Sequence, residues 1–406
     1  MRMWTDGSRV ASVLWVLSIA IVPGIVEESL RHAILEATRS SPRRRQSGRA
    51  RGELTTCSHR SRLHPDATLP ANTSIWRRIE IAAAWLAAAL ASCAALLALA
   101  CPYLGGNAPG LEGWPGFLIE VATSMWIHIG ELSAITAVVA LLRRLWWPAA
   151  ALGVVALAAL VPEYWPCSTP AADGAPCLRV AAANLSGDNA DYAAMEASLR
   201  ELDADVLVMP EFTTAWAEQL EKWFANDYPH RWLGAPSERH GYVEEGPRIA
   251  VWSRIPGVDD FEVRRVYGCQ VRVTLRFCER AFALYAIHAW PPFPYRQYNG
   301  VRRERQQLLD WIRGETLPTI VAGDLNAAPG SPFVLRLRQC GLGLASEYVL
   351  GSAPVTWPMN DATMAPLRIA IDHVLYSGAF RAVGFDRVRA NGSDHAPVLA
   401  RLVWRQ

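Results

Sequence analysis

The chain has 406 residues, 51% hydrophobic and 19% charged, which gives room for roughly two or three domains. Eight cysteines in that length exclude a small disulfide-stapled scaffold. A net charge of +2, with Lys222 the only lysine, gives no footing for a bulk polyanion binder.

In chain order, residues 13–26 are an apolar run that contains Pro23 and ends at Glu27 and Glu28. The run is short for a span and resembles a signal h-region without a clear small-residue cleavage site. Residues 39–72 are rich in Ser, Arg, Pro and Thr, with Arg43-Arg44-Arg45, and read as disordered. Residues 1–75 are therefore expected to be a disordered or dispensable leader. A basic membrane-surface segment is the alternative.

Three longer apolar runs follow, at 81–101, 116–142 and 145–162. As a helix the first would reach about 32 Å at ~1.5 Å per residue, enough for a hydrocarbon core of ~30 Å. A soluble Ala-rich helical domain is the competing reading, but the first and third runs lack the polar stripe such helices carry. Residues 76–164 are thus expected to be a membrane domain of three transmembrane helices contacting the lipid bilayer. Arg77, Arg78, Arg143 and Arg144 mark the cytoplasmic side, and the 102–115 loop has no Lys or Arg. The positive-inside rule then predicts a multi-pass protein of the inner (plasma) membrane. Everything after a linker at 165–177 would be periplasmic or extracellular. Within the second run Glu131 is central enough to cost roughly 2.5–3.5 kcal/mol on insertion, and Glu120 is expected at the interface. In an oxidising compartment Cys167 could pair with Cys177, and Cys269 with Cys278, leaving Cys340 over; the alternative is that all are reduced.

From residue 178 the pattern changes. Strands are predicted at 178–184, 205–209, 248–253, 264–277, 281–288, 319–322, 369–376 and 397–403, with helices at 190–202, 213–225 and 301–313. This is α/β with mixed sheets over 178–406, long enough for one sizeable core.

Polar residues sit at the ends of these strands: Asn184, Glu211, His288, Asp324 with Asn326, Asp372 with His373, and Ser393-Asp394-His395. Strand ends converge on one rim of a sheet. Singly each has a bland reading, Glu211 beside a helix start, Asn326 as a turn former, His373 as a core histidine. Glu, Asp and Asn supply the oxygen donors a hard cation such as Mg²⁺ prefers, and no Cys/His cluster has zinc spacing. The remaining His and Asp can orient a water and meet a charged phosphoryl group, a set suited to metal-assisted phosphoester hydrolysis.

In this order, Asn184, Glu211, Ile287-His288, Gly323-Asp324-Leu325-Asn326, Ile371-Asp372-His373 and Ser393-Asp394-His395 resemble the motifs of the endonuclease/exonuclease/phosphatase (DNase I-like) superfamily. The resemblance covers about 178–404 and implies a four-layer α/β/β/α sandwich with the site at one end of the packed sheets. It implies that Glu211 binds the divalent metal, Mg²⁺ with Mn²⁺ as alternative, with Asp394 and Asn184 near it. Asp324 would position or deprotonate the attacking water, Asn326 and His288 would contact the phosphate, and Asp372 would pair with His395. Leu185 and Ser186 follow Asn184 where some nucleases carry a further acidic ligand, which leaves the number of metals open.

The function expected is a membrane-anchored phosphoester hydrolase, a phosphodiesterase or nuclease acting outside the cytoplasm. Its substrate, nucleic acid or lipid headgroup, is open. The segment Trp290-Pro291-Pro292-Phe293-Pro294-Tyr295-Arg296-Gln297-Tyr298, with Trp357 and Arg368, offers aromatic and cationic surface for either, or is a stiff loop packed on its own domain. No protein partner is implied. The alternatives are a non-catalytic receptor or scaffold on a retired hydrolase fold, and a transporter. Three spans are few for the latter.

Overall fold

The structure, a computed structural model, describes residues 72–104, 113–164, 174–234, 238–239, 242–243, 249–266, 268–360, 363–364, 367–389 and 392–405. Of the leader expected at 1–75, all but its last residues lie outside the described residues, as does most of the linker. The chain divides into two compact units, Met1–Ala83 and Ala84–Gln406. The boundary falls inside helix α1 (Asn72–Leu104). The second unit holds the other apolar helices and the whole sandwich.

Among the described residues, Ile75–Ala98 in α1 is the one helix long and apolar enough by itself to cross a membrane. The 116–142 run is not one straight span. Helix α2 (Trp114–Ser124) and helix α3 (Trp126–Leu142) are bent by 68° at Met125. Two features of α2 fit that bend. Thr123 Oγ1 donates back to the carbonyls of Ile119 (2.9 Å) and Glu120 (3.1 Å), an arrangement that often bends helices. The face carrying Ile119, Glu120 and Thr123 is buried. Helix α4 (Trp146–Tyr164) has a shorter apolar stretch, Trp146–Val161. Leu142 and Trp147 are more than three-quarters exposed.

The sandwich is built from two six-stranded sheets. The first has the order β13-β14-β1-β2-β6-β3, comprising β13 (Phe380–Arg387), β14 (Val398–Trp404), β1 (Leu178–Ala182), β2 (Val206–Pro210), β6 (Ile249–Ser253) and β3 (His230–Leu233). The second has the order β11-β12-β10-β9-β8-β7, comprising β11 (Leu342–Leu344), β12 (Asp372–Ser377), β10 (Thr319–Asp324), β9 (Arg280–His288), β8 (Gly268–Phe277) and β7 (Gly257–Val266). A small hairpin pairs β4 (Glu238–Arg239) with β5 (Tyr242–Val243). Alternate side chains of both sheets, among them Val180, Val208, Val273, Leu284, Ile320 and Val374, form the central core. The outer face of the first sheet is covered by α5 (Tyr192–Leu202) and α6 (Thr214–Phe224) through Leu199, Trp216 and Leu220. The outer face of the second is covered by α7 (Tyr295–Arg313) and α8 (Pro332–Gln339) through Leu308, Leu309, Val334 and Leu337. A short helix, α9 (Ala345–Leu350), completes the set. This is the DNase I-like α/β/β/α arrangement.

The run expected as a single strand at 264–277 is two strands. The chain reverses between Val266 and Gly268, and β7 pairs antiparallel with β8. Cys177 and Cys278 are unpaired thiols, so neither suggested disulfide is present.

Candidate active site

Strand register brings the site together. In the second sheet Asp324 lies opposite His288 across the parallel β9–β10 ladder and opposite Asp372 across the antiparallel β10–β12 ladder. Three motifs far apart in sequence thus become one row across three strand ends. In the first sheet β1 pairs in parallel with β2 and antiparallel with β14. Asn184 and Glu211 therefore leave adjacent strand ends, and His395 enters β14 beside them. Gly323 has φ +136°, and a Cβ there would stand 2.0 Å from the Ile287 carbonyl oxygen. Only glycine fits that approach of β10 to β9.

His395 Nδ1 and an Asp372 carboxylate oxygen are 2.8 Å apart, and both side chains are buried. Asp372 is fixed from behind, because Thr356 Oγ1 accepts the backbone N–H groups of Ile371 and Asp372, both at 3.1 Å. The other ring nitrogen, Nε2, stands 3.4 Å from Asn184 Nδ2 and 3.9 Å from Asp324 Oδ2. Asn184 is the hub: its Nδ2 donates to Glu211 Oε1 (3.1 Å) and Asp324 Oδ2 (3.2 Å). Its oxygen accepts from Ser186 N at 2.9 Å, which sets the direction of the amide. Glu211 also accepts from Gly187 N at 2.9 Å. His288 Nε2 lies 3.8 Å from Asp324 and 3.9 Å from Glu211. Ser393 Oγ donates to the Asn184 carbonyl and accepts from His395 N, tying the last motif to the first.

Two of these residues and one segment have partners within the protein. Asn326 has φ +46° and uses its Nδ2 within the protein, donating to Ala289 O (2.8 Å) and Asp324 Oδ2 (3.2 Å). Its backbone N–H also donates to Asp324 Oδ1 at 2.8 Å. Asn326 therefore braces Asp324, and contact with a phosphate would require one of these bonds to give. The Asp394 carboxylate accepts from Trp357 Nε1 at 2.9 Å. The 290–298 segment is also occupied. Tyr295 stacks on Trp114 of α2 at 3.9 Å between ring centroids, and Phe293 and Tyr298 meet Phe117 edge-on. His373, as a core histidine should, turns away to Ala327 O at 2.9 Å.

Sequence reasoning did not single out Thr356, which carries no motif. It also passed over Glu304 and Arg305, although a signal existed. On α7 they fall in the stripe with Val301, Leu308 and Ile312, where helical periodicity calls for apolar residues. Glu304 accepts from Gln270 (2.9 Å) and from Trp290 N (3.1 Å), just past His288.

Burial works against charge on both Asp324 and His395, with opposite effects. For Asp324 burial raises the carboxyl and the neighbouring Asp372 raises it further. For His395 burial alone would lower the imidazole, but Asp372 and Asp324 outweigh it and hold it up at about 10. Glu211 is the reverse case. Burial opposes its charge, yet His288, the Gly187 amide and Asn184 together bring it below the usual carboxylate range. Asp324 and His395 thus hold protons more tightly in the folded chain than in the unfolded one. In chelator, stability should therefore fall as pH rises. The His395 contribution is complete below its unfolded value of 6.5 and is lost through about 10. A thermal melt of the full chain in chelator should show Tm falling by a few degrees between pH 7 and 10. A flat or rising Tm contradicts this placement.

The donor set suits a hard divalent cation. Ligand atoms of Asp324, Asp372 and His395 lie within 4.8 Å of one another. Asp372 Oδ1 is buried with no hydrogen-bond partner. Glu211 adds a carboxylate whose side chain is 29% exposed on the rim.

A two-sheet α/β sandwich with a carboxylate–imidazole pair and acidic rim at one end is the DNase I-like class. Residues 181–395, more than half of the chain, match the Endonuclease/Exonuclease/phosphatase family, and the chain belongs to it. That places it among phosphoester hydrolases. No curated protein matches the sequence. Solved structures that resemble it include an endonuclease/exonuclease/phosphatase from Beutenbergia cavernae DSM 12333, at 20% identity and TM-score 0.44, covering 56% of this chain and 72% of that one. The human Nocturnin catalytic domain with bound sulfate anion matches at 17% identity and TM-score 0.44, covering 57% and 94%. A humanized D. rerio TDP2 matches at 14% and 0.46, covering 56% and 98%.

Proposed function

We propose that the chain is a membrane-anchored, divalent-metal-dependent phosphodiesterase whose sandwich acts outside the cytoplasm. The observation that carries this reading is the convergence at the sheet ends of the Asp372–His395 pair and the hydrogen-bonded Asn184–Asp324–Glu211 group, with Glu211 open at the rim. Glu211 would hold Mg²⁺ or Mn²⁺, with Asp394 and Asn184 near it. When bound, the metal supplies charge neutralisation for the phosphoryl oxygens. Asp324, raised by burial and braced by Asn326, takes the proton of the attacking water as its oxygen bonds to phosphorus. His395, cationic beside Asp372, faces the phosphoryl charge through Nε2. His288, within 4 Å of both Asp324 and Glu211, would contact the phosphate. The bond from phosphorus to the leaving oxygen breaks, and that oxygen is protonated from solvent.

Two observations favour a compact phosphodiester, such as a lipid headgroup, over duplex nucleic acid. The net charge is near zero, whereas duplex binding needs several phosphate-neutralising cations. Phe293, Tyr295 and Tyr298 are packed against α2 instead of forming a base-stacking platform. The full chain in detergent should be assayed with Mg²⁺ against phospholipid in mixed micelles, single-stranded DNA and duplex DNA. Preferred hydrolysis of duplex DNA would overturn the substrate preference. No hydrolysis of any of them would favour the receptor alternative.

The arginines at 77, 78, 143 and 144 support an orientation with the sandwich outside. A reporter fused after Gln406 should be active only in its extracytoplasmic form. A cytoplasmic readout overturns the orientation.

A further inference from the structure

The run that reads as a second membrane span contributes a buried charge to the catalytic domain. Glu120 of α2 is 1% exposed, and its Oε1 lies 2.9 Å from Nη1 of Arg305 on α7, itself buried. Glu120 Oε1 has no hydrogen-bond partner, so the contact is held by charge attraction. The other end of the same guanidinium donates from Nη2 to the backbone carbonyl of Asn326 at 2.8 Å. Asn326 sits in the left-handed region, at φ +46°, a conformation that non-glycine residues hold only when their surroundings fix it. From there it makes the two hydrogen bonds to Asp324 described above. An unpaired arginine at this depth would be costly, and Glu120 is the carboxylate in contact with it.

From this chain of contacts we infer that Glu120 and Arg305 are positioning residues of the active site: α2, through that ion pair, holds the Asn326 loop and with it the Asp324 carboxylate. The catalytic centre is thus completed by a residue from the apolar segment. The inference deepens the hydrolase reading and rests on it for its kinetic consequence, while the positioning itself can be measured without activity.

The test uses the full chain in detergent as wild type, Glu120→Gln, Arg305→Met and, as a control in the same segment, Glu131→Gln. Hydrogen exchange is followed on the peptide carrying Leu325 to Ala328. Hydrolysis of bis(p-nitrophenyl) phosphate is followed with Mg²⁺. Glu120→Gln and Arg305→Met should speed exchange in that peptide above wild type, while core strands β1 and β10 stay protected. Both should lower kcat by ~10²-fold with KM little changed, since a misplaced catalytic group costs about that much. Glu131→Gln should match wild type in both readouts. Unchanged exchange at Asn326 in both variants overturns the inference, as does loss of protection spread over the sandwich, which would mark the ion pair as a general fold contact. Absence of hydrolysis by the wild type would sink the hydrolase reading, and the exchange data would still decide the positioning.

Discussion

Asp372→Asn should cut phosphodiester turnover by about 10²–10³-fold, the usual cost of losing one group that stabilises transition-state charge, and leave the sandwich folded. The substitution keeps the shape, and Thr356 still accepts the same backbone N–H groups. What is lost is the charge facing His395 Nδ1 at 2.8 Å. That charge and the one on Asp324 hold the imidazole at about 10 against a burial effect of opposite sign. Without it the buried ring gives up its proton at a lower pH. The amide can also present an N–H to Nδ1 and favour the wrong tautomer. The pH profile of kcat separates this from simple damage. The residual activity of the variant should decline at a lower pH than that of wild type. An unchanged profile, or turnover within a few-fold of wild type, would remove Asp372 from the mechanism and reopen the role of His395.

Glu211→Gln should be the second large loss, concentrated at limiting metal. The amide can still accept from Gly187 N and meet Asn184, so the strand ends stay in place. A neutral oxygen holds Mg²⁺ far more weakly than a carboxylate, and a weakening of ~10²-fold in metal affinity is expected, the upper end of what ligand-supporting changes alone produce. Titration of Mg²⁺ into the activity assay should shift the midpoint upward, with partial recovery at saturation. Near-normal activity at limiting Mg²⁺ would place the metal elsewhere, and the buried Asp324–Asp372–His395 group would be the next position to test.

The strand-end residues were legible because each ends a short apolar run, and runs of that kind pair in a sheet whose rim collects their ends. The register that sets His288, Asp324 and Asp372 in one row follows from ladders that no single motif encodes. The direction of a side chain was less accessible. Asp394 reads as a ligand beside His395, and the hydrogen bond it accepts from Trp357 Nε1, thirty-seven positions away, is not visible in the motif. The 116–142 run reads as one span because hydropathy is blind to a bend. The break at Met125 goes with the Glu120–Arg305 pair and the Trp114–Tyr295 stack, both tertiary contacts. The same stack holds Tyr295, in the aromatic segment after His288, against α2. A charged pair, Glu304-Arg305, on the apolar stripe of α7 was the trace of this in the sequence.

Hydrolysis of bis(p-nitrophenyl) phosphate by the purified full chain, in Mg²⁺, then chelator, then restored Mg²⁺, tests the central claim most directly. The account predicts turnover with metal, its loss in chelator and its recovery on adding Mg²⁺ back, with Asp324→Asn inactive throughout. Turnover that persists in chelator, or that survives Asp324→Asn, would contradict it.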